Sequence, residues 1–194
     1  MKKELKILLF LSAIVNLAGG MLGPIYAVFV EQIGGNILTA GWAIALFSIA
    51  TGVFIILLGK WEDRFRNKEA LVVAGYSLNV VGFIGYLFIT HPMQLFLIQI
   101  IFALAEAIVT PAFDGLYSSL LDRGRFASEW GMWEGTYYIV TAVAAFIGSG
   151  IAYLFGFGAL FVFMAAISLG GVSMGSFLLI REGRVRKQSR AALI

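Results

Sequence analysis

Four polar side chains lie on one side of a long apolar stretch and could bind a solute or a proton. The stretch is Met93–Leu121, and the side chains are those of Gln99, Glu106, Thr110 and Asp114. On a helix with about 100° per residue, Gln99 lies within ~20° of Glu106, and Thr110 and Asp114 lie ~40° and ~80° from it. Ionisable groups inside a membrane are functional candidates by default. Glu106, near the middle of the stretch, could therefore bind a proton or a cationic solute in alternation.

The first apolar stretch adds two candidates for contacts with a solute, Asn16 and Tyr26. For these two residues and for Gln99, the competing interpretation is a hydrogen bond that holds neighbouring helices together. For Glu106 the competing interpretation is a protonated structural side chain. We favour a functional role for Glu106 because of its position near mid-span.

Two further carboxylates, Asp114 and Glu134, also have two interpretations. They could line the path of a solute, or they could pair with Arg123 and Arg125 in a cytoplasmic cluster of charges. We favour the structural interpretation for Glu134. The neighbouring Trp130 and Trp133 are interpreted as members of an interfacial aromatic belt.

The composition gives little support to enzymatic chemistry. The chain has no cysteine and a single histidine, His91, so one chain contains neither a thiolate site nor a histidine pair. A hydrolase within the membrane would need a nucleophile with a base, or a metal cluster. We therefore predict that the chain is not an enzyme and that it holds no metal and no cofactor.

The overall composition is that of an integral membrane protein. Hydrophobic residues make up 60% of the 194 residues and charged residues 13%, whereas soluble domains have about 45–50% and about 25%. A membrane-spanning helix needs about 20 mostly apolar residues. We predict an all-α domain over 1–194 with six spans: Leu5–Val30, Thr39–Leu58, Ala70–Thr90, Met93–Leu121, Gly131–Phe155 and Ala159–Ile180.

The basic residues predict the orientation of these spans. All 14 Lys and Arg residues fall at chain ends or loops on one side of the six-span arrangement. The positive-inside rule then places both termini in the cytoplasm. We therefore predict a multi-pass protein of the inner (cytoplasmic) cell membrane. The basic tail over 181–194 is expected to contact anionic lipid or to set orientation, and no nucleic-acid partner is predicted.

A weak internal repeat divides the chain into two halves. Residues 17–26 align without gaps on residues 104–113, and Ala70-Leu71 aligns with Ala159-Leu160. Because each unit has three spans, the second unit, about 93–180, would be inverted relative to the first, about 5–90. Inverted repeats are common among transporters, whose binding sites lie near the midplane.

Rows of small residues mark two helix faces as candidates for close packing. The second span has four at spacings of four, three and four residues, and the fifth span has a similar row. The predicted packing residues are Gly41, Ala45, Ser48, Gly52, Gly148 and Ala152.

The polar loop between the second and third spans suggests a family. Its pattern Gly59-x-x-x-Asp63-Arg64-x-x-x-Lys68 resembles the signature loop of the major facilitator superfamily, although Arg66 and Asn67 depart from the family pattern. The run 146–150 is similar to the glycine-rich motif of the family's antiporters, without its proline. The resemblance implies a cytoplasmic gate, to which we assign Gly59, Asp63, Arg64, Lys68, Arg123 and Glu134.

The resemblance covers six helices, whereas the family normally has twelve. It therefore implies half of the major facilitator fold, with the first and fourth helices lining a cavity. We expect a parallel homodimer of half-transporters, with the small-residue rows as its seam, that carries a small organic or drug-like solute by alternating access. Proton-coupled export is a subsidiary hypothesis. The alternatives are one half of a split or truncated transporter and a membrane assembly protein that transports nothing.

Overall fold

The computed structural model of the chain describes residues 2–65 and 67–191, with side chains at 2–65, 67–173, 176 and 177. All regular secondary structure in these residues is helical. Arg66 lies outside the described residues, and so do residues 192–194 at the end of the predicted tail. The helices are α1 (Lys3–Gly20), α2 (Tyr26–Gln32), α3 (Ile37–Glu62), α4 (Lys68–Tyr86), α5 (Pro92–Leu120) and α6 (Phe126–Ala191).

Five helical segments in the described part of the chain are long and apolar enough to cross a membrane. Backbone groups in hydrocarbon must be satisfied within the segment, which favours continuous helices for runs of this length. These long apolar helices confirm the prediction of an all-α membrane protein. The count of six spans stays a prediction. The segments are Lys3–Gln32, Ile37–Glu62, Lys68–Tyr86, Pro92–Leu120 and Phe126–Ser173.

The first segment is interrupted where Gly23 and Pro24 follow each other. A 3₁₀ turn over Gly23–Ile25 separates α1 from α2, and the backbone N–H of Tyr26 donates to the carbonyl of Gly23. Proline has no N–H and suits the first turn of a helix. The predicted first span is therefore two helices in series.

The long helix α6 contains one non-helical residue, Gly156, with φ 81° and ψ 170°. A positive φ in this region is readily adopted only by glycine. Two helices meet across the resulting kink, so α6 has a first part, 126–155, and a second part, 157–191. The kink lies at the start of the predicted loop between the fifth and sixth spans.

The helices pack in a limited set of pairs. α1 packs mainly on α6, α4 packs on α5 and α6, and α3 packs mainly on α5. Leu8, Val72 and Tyr117 are fully buried members of one apolar cluster. Met21 and Met164 belong to a second cluster.

Glycines allow the closest approaches between helices. A side chain at Gly148 of α6 would collide with the backbone and side chain of Met21, just beyond α1. A side chain at Gly75 of α4 would collide with Val109 of α5. In membranes, close approach of this kind replaces the hydrophobic driving force that soluble helices use.

Gly148 and Ala152 therefore differ from the prediction. Gly148 is buried against Met21, and Ala152 is half-buried against the second apolar cluster, so both pack within the chain. The corresponding row on α3 remains exposed at all four positions, namely Gly41, Ala45, Ser48 and Gly52.

Two other glycines have matching environments. Gly82 and Gly171 lie at the same distance after Ala70 and Ala159, which the predicted repeat pairs. A side chain at Gly82 would meet Phe102 of α5, and one at Gly171 would meet Ile14 of α1. The repeat also pairs α5 with α1, so these contacts agree with it, although the repeat stays a prediction.

Replacing Gly148 with leucine tests the contact with Met21. We expect Gly148→Leu to lower the free energy of unfolding by about 1–3 kcal/mol, because the added side chain meets backbone that cannot move aside. The control is Gly150→Leu, since Gly150 is exposed and has nothing within 4 Å of an added Cβ. Reversible unfolding in detergent micelles measures both. Equal stability of the two variants would contradict the assignment.

Candidate functional site

A cavity of about 390 Å³ lies between α1, α4 and α5, with side chains from α3 and α6 at its edges. Its wall is mainly aromatic and aliphatic, with a few polar groups, which is the composition of many small-molecule sites. The lining residues are Val15, Asn16, Gly19, Leu22, Gly23, Tyr26, Ile44, Phe47, Tyr76, Asn79, Phe83, Tyr86, Gln99, Phe102, Glu106 and Met164. We call it the larger cavity.

A hydrogen-bonded group of three side chains lies in the wall of the larger cavity. The Gln99 Nε2 donates to the Tyr26 Oη at 2.7 Å and lies 3.5 Å from the Tyr86 Oη. Gln99 is only 6% exposed, and a buried amide without partners would be costly. The contact therefore joins α2 to α5, and it supports the interpretation of Gln99 as a helix-joining residue that also lines the cavity.

A second cavity, of about 300 Å³, adjoins the first along α5. We call it the smaller cavity. It lies between α5 and the beginning of α6, and its wall contains both aromatic rings and carboxylates. Its lining residues are Asn16, Tyr76, Glu106, Val109, Thr110, Phe113, Asp114, Trp130, Trp133, Glu134 and Tyr137.

Three residues line both cavities, one from each of three helices. They are Asn16 of α1, Tyr76 of α4 and Glu106 of α5. The Glu106 side chain is exposed, and its Oε1 accepts a hydrogen bond from the Thr110 Oγ1 at 2.8 Å. Glu106 thus stands at the junction of the two cavities, where one carboxylate can be reached from either.

The charges of the site are all acidic. Asp114 lies close enough to Glu106 and Glu134 to interact electrostatically with both. Among the described residues that line either cavity, none is a lysine or an arginine. The arrangement therefore favours a cation or protons over an anion.

The predicted binding residues come together in the structure. Asn16 and Glu106 line both cavities, Tyr26 and Gln99 line the larger one, and Asp114 lines the smaller one. Their chemical roles stay predictions. The structure brings them together because α1 and α5 both border the same space.

Glu134 lies near the beginning of α6, and its role in the gate stays a prediction. It lines the smaller cavity with Asp114, whereas Arg123, its expected partner, lines neither cavity. Its place in this wall agrees with the alternative, a residue on the path of a solute, and both interpretations of Glu134 stay predictions. The Glu134 side chain is exposed.

Four other predicted gate residues lie in and around the loop between α3 and α4, namely Gly59, Asp63, Arg64 and Lys68. The Lys68 Nζ is 3.9 Å from the Asp63 Oδ1 and donates to the carbonyl of Glu62 at 3.4 Å. The backbone N–H of Asp63 bonds back to Gly59 and that of Arg64 to Trp61, which closes the end of α3. Asp63 is 84% exposed on its side chain, so its ion pair adds little stability.

Most aromatic residues of the two cavities escaped the sequence prediction. Trp130 and Trp133, which were interpreted as part of an interfacial belt, line the smaller cavity, and so does Tyr137. Tyr76, to which no function was given, lines both cavities. The spacing of Trp130, Trp133 and Tyr137 by three and four residues places them on one helix face with Glu134, and this signal could have found them.

The model of the Major Facilitator Superfamily matches residues 8–192. The chain belongs to the major facilitator superfamily. The resemblance of the Gly59–Lys68 loop is thereby confirmed at the level of family. The superfamily is one of membrane transporters and not of enzymes.

Members of the superfamily with low identity to the chain include efflux pumps. The multi-drug resistance efflux pump PmrA of Streptococcus pneumoniae is 24% identical over 157 residues, which are 79% of this chain and 39% of the pump. The multidrug resistance protein MdtG of Salmonella arizonae is 27% identical over 163 residues, 80% of this chain and 39% of that protein. The chain thus matches about two fifths of the length of these relatives.

A shorter member of the superfamily is matched over most of its length. The uncharacterized MFS-type transporter YitZ of Bacillus subtilis is 23% identical over 141 residues, which are 71% of this chain and 84% of that protein.

The Gln99 contacts predict a measurable coupling between α2 and α5. In a double-mutant cycle, Gln99→Leu with Tyr26→Phe should give a coupling energy of about 0.6 kcal/mol and at most about 1.7 kcal/mol, the average and the maximum found for hydrogen bonds between membrane helices. The matched control is the cycle with Tyr86→Phe. Its longer distance of 3.5 Å predicts a weaker coupling. Unfolding in detergent measures both, and a coupling to Tyr86 as large as that to Tyr26 would contradict the geometry.

Proposed function

We propose that the chain forms a secondary active transporter that moves a small organic or drug-like solute by alternating access. The observation that carries this proposal is the junction of the two cavities at Glu106, within helices long enough to cross a membrane, in a member of a transporter superfamily. The names of the relatives PmrA and MdtG support a drug-like solute and its export.

The proposed topology has six spans in two inverted repeats, with both termini in the cytoplasm of a cell membrane. The kink at Gly156 supports a division of α6 into a fifth and a sixth span. The matching environments of Gly82 and Gly171 support the repeat. The placement of all 14 Lys and Arg residues on one side of this arrangement supports the orientation.

The transporting unit in this proposal is a parallel homodimer. α3 is largely exposed. Only 11% of its most apolar stretch is buried, compared with 56% for that of Lys3–Gln32. Its exposed row of small residues, Gly41 to Gly52, would allow another helix to approach closely. A second copy would also cover the open side of the cavities, where an exposed carboxylate facing lipid would cost about 2.5–3.5 kcal/mol.

The surface that meets α3 of the second copy must differ from the predicted row on the fifth span. Gly148 and Ala152 pack within the chain, but the same part of α6 carries an exposed apolar face. Tyr138, Phe146 and Tyr153 are examples, with exposures of 69%, 85% and 88%. We propose that this face and the open face of α3 form the seam, related by a twofold axis along the membrane normal.

Substitution at Gly52 tests the proposed seam. We expect Gly52→Leu to weaken dimerisation by roughly 5- to 150-fold, because overpacking of a close contact costs about 1–3 kcal/mol. Gly170→Leu is the control, since Gly170 is equally exposed but lies on the second part of α6. Native mass spectrometry from mild detergent measures the assembly. A parent protein that is monomeric and still transports would overturn the homodimer.

Proton coupling through Glu106 is the finer part of the proposal. In proteoliposomes with an acidic interior, uptake of ethidium driven by the proton gradient should fall by on the order of tenfold in Glu106→Gln, because an amide cannot release a proton. Glu31→Gln is the control, since Glu31 is exposed in α2 and lines neither cavity. Unchanged uptake with unchanged pH dependence would rule out this role.

Two alternatives remain distinct from the homodimer. In the first, the chain is one half of a split or truncated transporter with a different partner, and the mass of the purified assembly would then exceed the chain by a second, unlike subunit. In the second, it is an assembly protein without transport. The match to 84% of YitZ is consistent with a small unit of this size.

A further inference from the structure

A third cavity, of about 200 Å³, lies between α1 and the first part of α6. We call it the outer groove. It is lined by Phe10, Ala13, Ile14 and Leu17 of α1 and by aliphatic side chains of α6 such as Val140. Among the described residues that line it, none is polar and none lines either of the other two cavities. A site for a polar solute has polar groups that fix its orientation, so an apolar chain suits this groove better.

The outer groove opens on a different side of α1 from the other two cavities. At about 100° per residue, Asn16 lies ~120° and Gly19 ~180° around α1 from Phe10. Both Asn16 and Gly19 line the larger cavity. Around the outer groove, Phe10, Ile139 and Val143 are exposed. An exposed apolar surface on membrane-spanning helices contacts lipid or another protein.

One end of the outer groove carries positive charge. Five residues follow each other along one face of α1 at spacings of three, four, three and four, namely Lys3, Lys6, Phe10, Ala13 and Leu17. Lys6 is exposed, and its side chain forms no ion pair within the described part of the chain. From Lys6 to Leu17 the helix rises about 16 Å. This is about half of the ~30 Å thickness of the hydrocarbon core, which is the depth of one lipid leaflet.

Two arginines lie in a loop beside the same end of α1. The Lys2 Nζ donates to the carbonyl of Leu120 at 2.8 Å and lies 3.6 Å from the Asp122 Oδ1. These contacts hold the loop between α5 and α6 next to the beginning of α1. Arg123 and Arg125 are exposed in that loop. Basic side chains from two parts of the chain therefore lie near the end of the outer groove.

A phosphate suits this end of the groove better than a second copy of the chain does. All 14 Lys and Arg residues lie on one side of the proposed arrangement, so a parallel copy would bring more positive charge to the same depth. The nearby acidic residues leave Lys6 uncompensated, because Asp122 lies beside Lys2 and Glu4 lies ~160° around α1 from Lys6. An anionic group would complement the charge that remains.

We propose that the outer groove binds an anionic phospholipid. One acyl chain lies in the groove between Phe10 and Leu17, and the phosphate lies against Lys6, with Arg123 and Arg125 beside the headgroup. The fit of the chain supplies van der Waals contact, and the basic residues supply the preference for negative charge. In the proposed orientation this lipid belongs to the cytoplasmic leaflet. The site takes part in no step of the proposed transport, so its test needs no flux.

The test compares two phospholipids with the same acyl chains. The full chain in a mild neutral detergent is titrated with anionic phosphatidylglycerol or zwitterionic phosphatidylcholine, and native mass spectrometry counts the bound lipids. We expect the first phosphatidylglycerol to bind at least about fivefold more tightly, since each basic residue near the membrane surface contributes about that factor. Glycerol 3-phosphate, which has the phosphate but no acyl chain, should not compete. Equal affinity for the two lipids, or competition by glycerol 3-phosphate at the concentration of the lipid, would overturn the site.

Two pairs of variants locate the lipid. Lys6→Gln should weaken binding of the first phosphatidylglycerol about fivefold, whereas Lys60→Gln, which removes the same charge at the end of α3, should not. Ala13→Phe fills the groove and should weaken binding about tenfold. Ala166→Phe adds the same ring at an exposed position on the second part of α6 and should leave binding unchanged. Equal effects within either pair would contradict the assignment.

A fluorescence measurement keeps the test decisive if one of these variants is unstable. Phe10→Trp places a fluorophore at the groove, and the signal of the four native tryptophans is subtracted by measuring the parent protein. In nanodiscs, phosphatidylglycerol with brominated acyl chains should quench the added signal at about fivefold lower mole fraction than brominated phosphatidylcholine. Equal quenching by both lipids would rule out the preference. A dimer that excludes both lipids, and that Ala13→Phe separates, would assign the groove to a second copy and overturn the lipid site.

Discussion

Hydrocarbon offers no hydrogen-bond partner, and this constraint decides where each polar side chain of the chain can lie. Gln99 meets it within the fold, through the hydroxyls of Tyr26 and Tyr86. Glu106 meets it only in part, through one bond from Thr110, and its side chain stays exposed. A carboxylate at that depth requires water, a ligand or more protein beside it. The proposed second copy beside the two cavities would meet that requirement.

The same constraint changes how the helices hold together. Apolar side chains gain little by leaving lipid for each other, so contact depends on shape. Gly148 against Met21 and Gly75 against Val109 provide that shape inside the chain. The exposed row on α3 has the same type of residues but no neighbour. Small residues therefore face a neighbouring helix in one place and an exposed surface in the other.

Much of the fold could be predicted from the sequence because apolar length and charge are one-dimensional signals. Hydrophobic length found the helices, and about 100° per residue found the polar stripe of Gln99 and Glu106. Direction was harder: the rows on α3 and α6 look alike in sequence, yet Gly148 faces α1. Trp133 and Glu134 share one face of α6 by their spacing, but whether that face borders α5 depends on how the two helices pack. Such information exists only once helices are packed.

Gly156 is the single residue that joins the two parts of α6, so the facing ends of the two parts stay close together. The two parts can change the angle between them, but they cannot slide past each other. Both are also anchored near the same helix, the first at Gly148 beside Met21 and the second at Gly171 beside Ile14. α1 therefore contacts both parts of α6, one on each side of Gly156, whereas α3 packs mainly on α5. A change in the angle at Gly156 would separate α1 from one part of α6 or from the other.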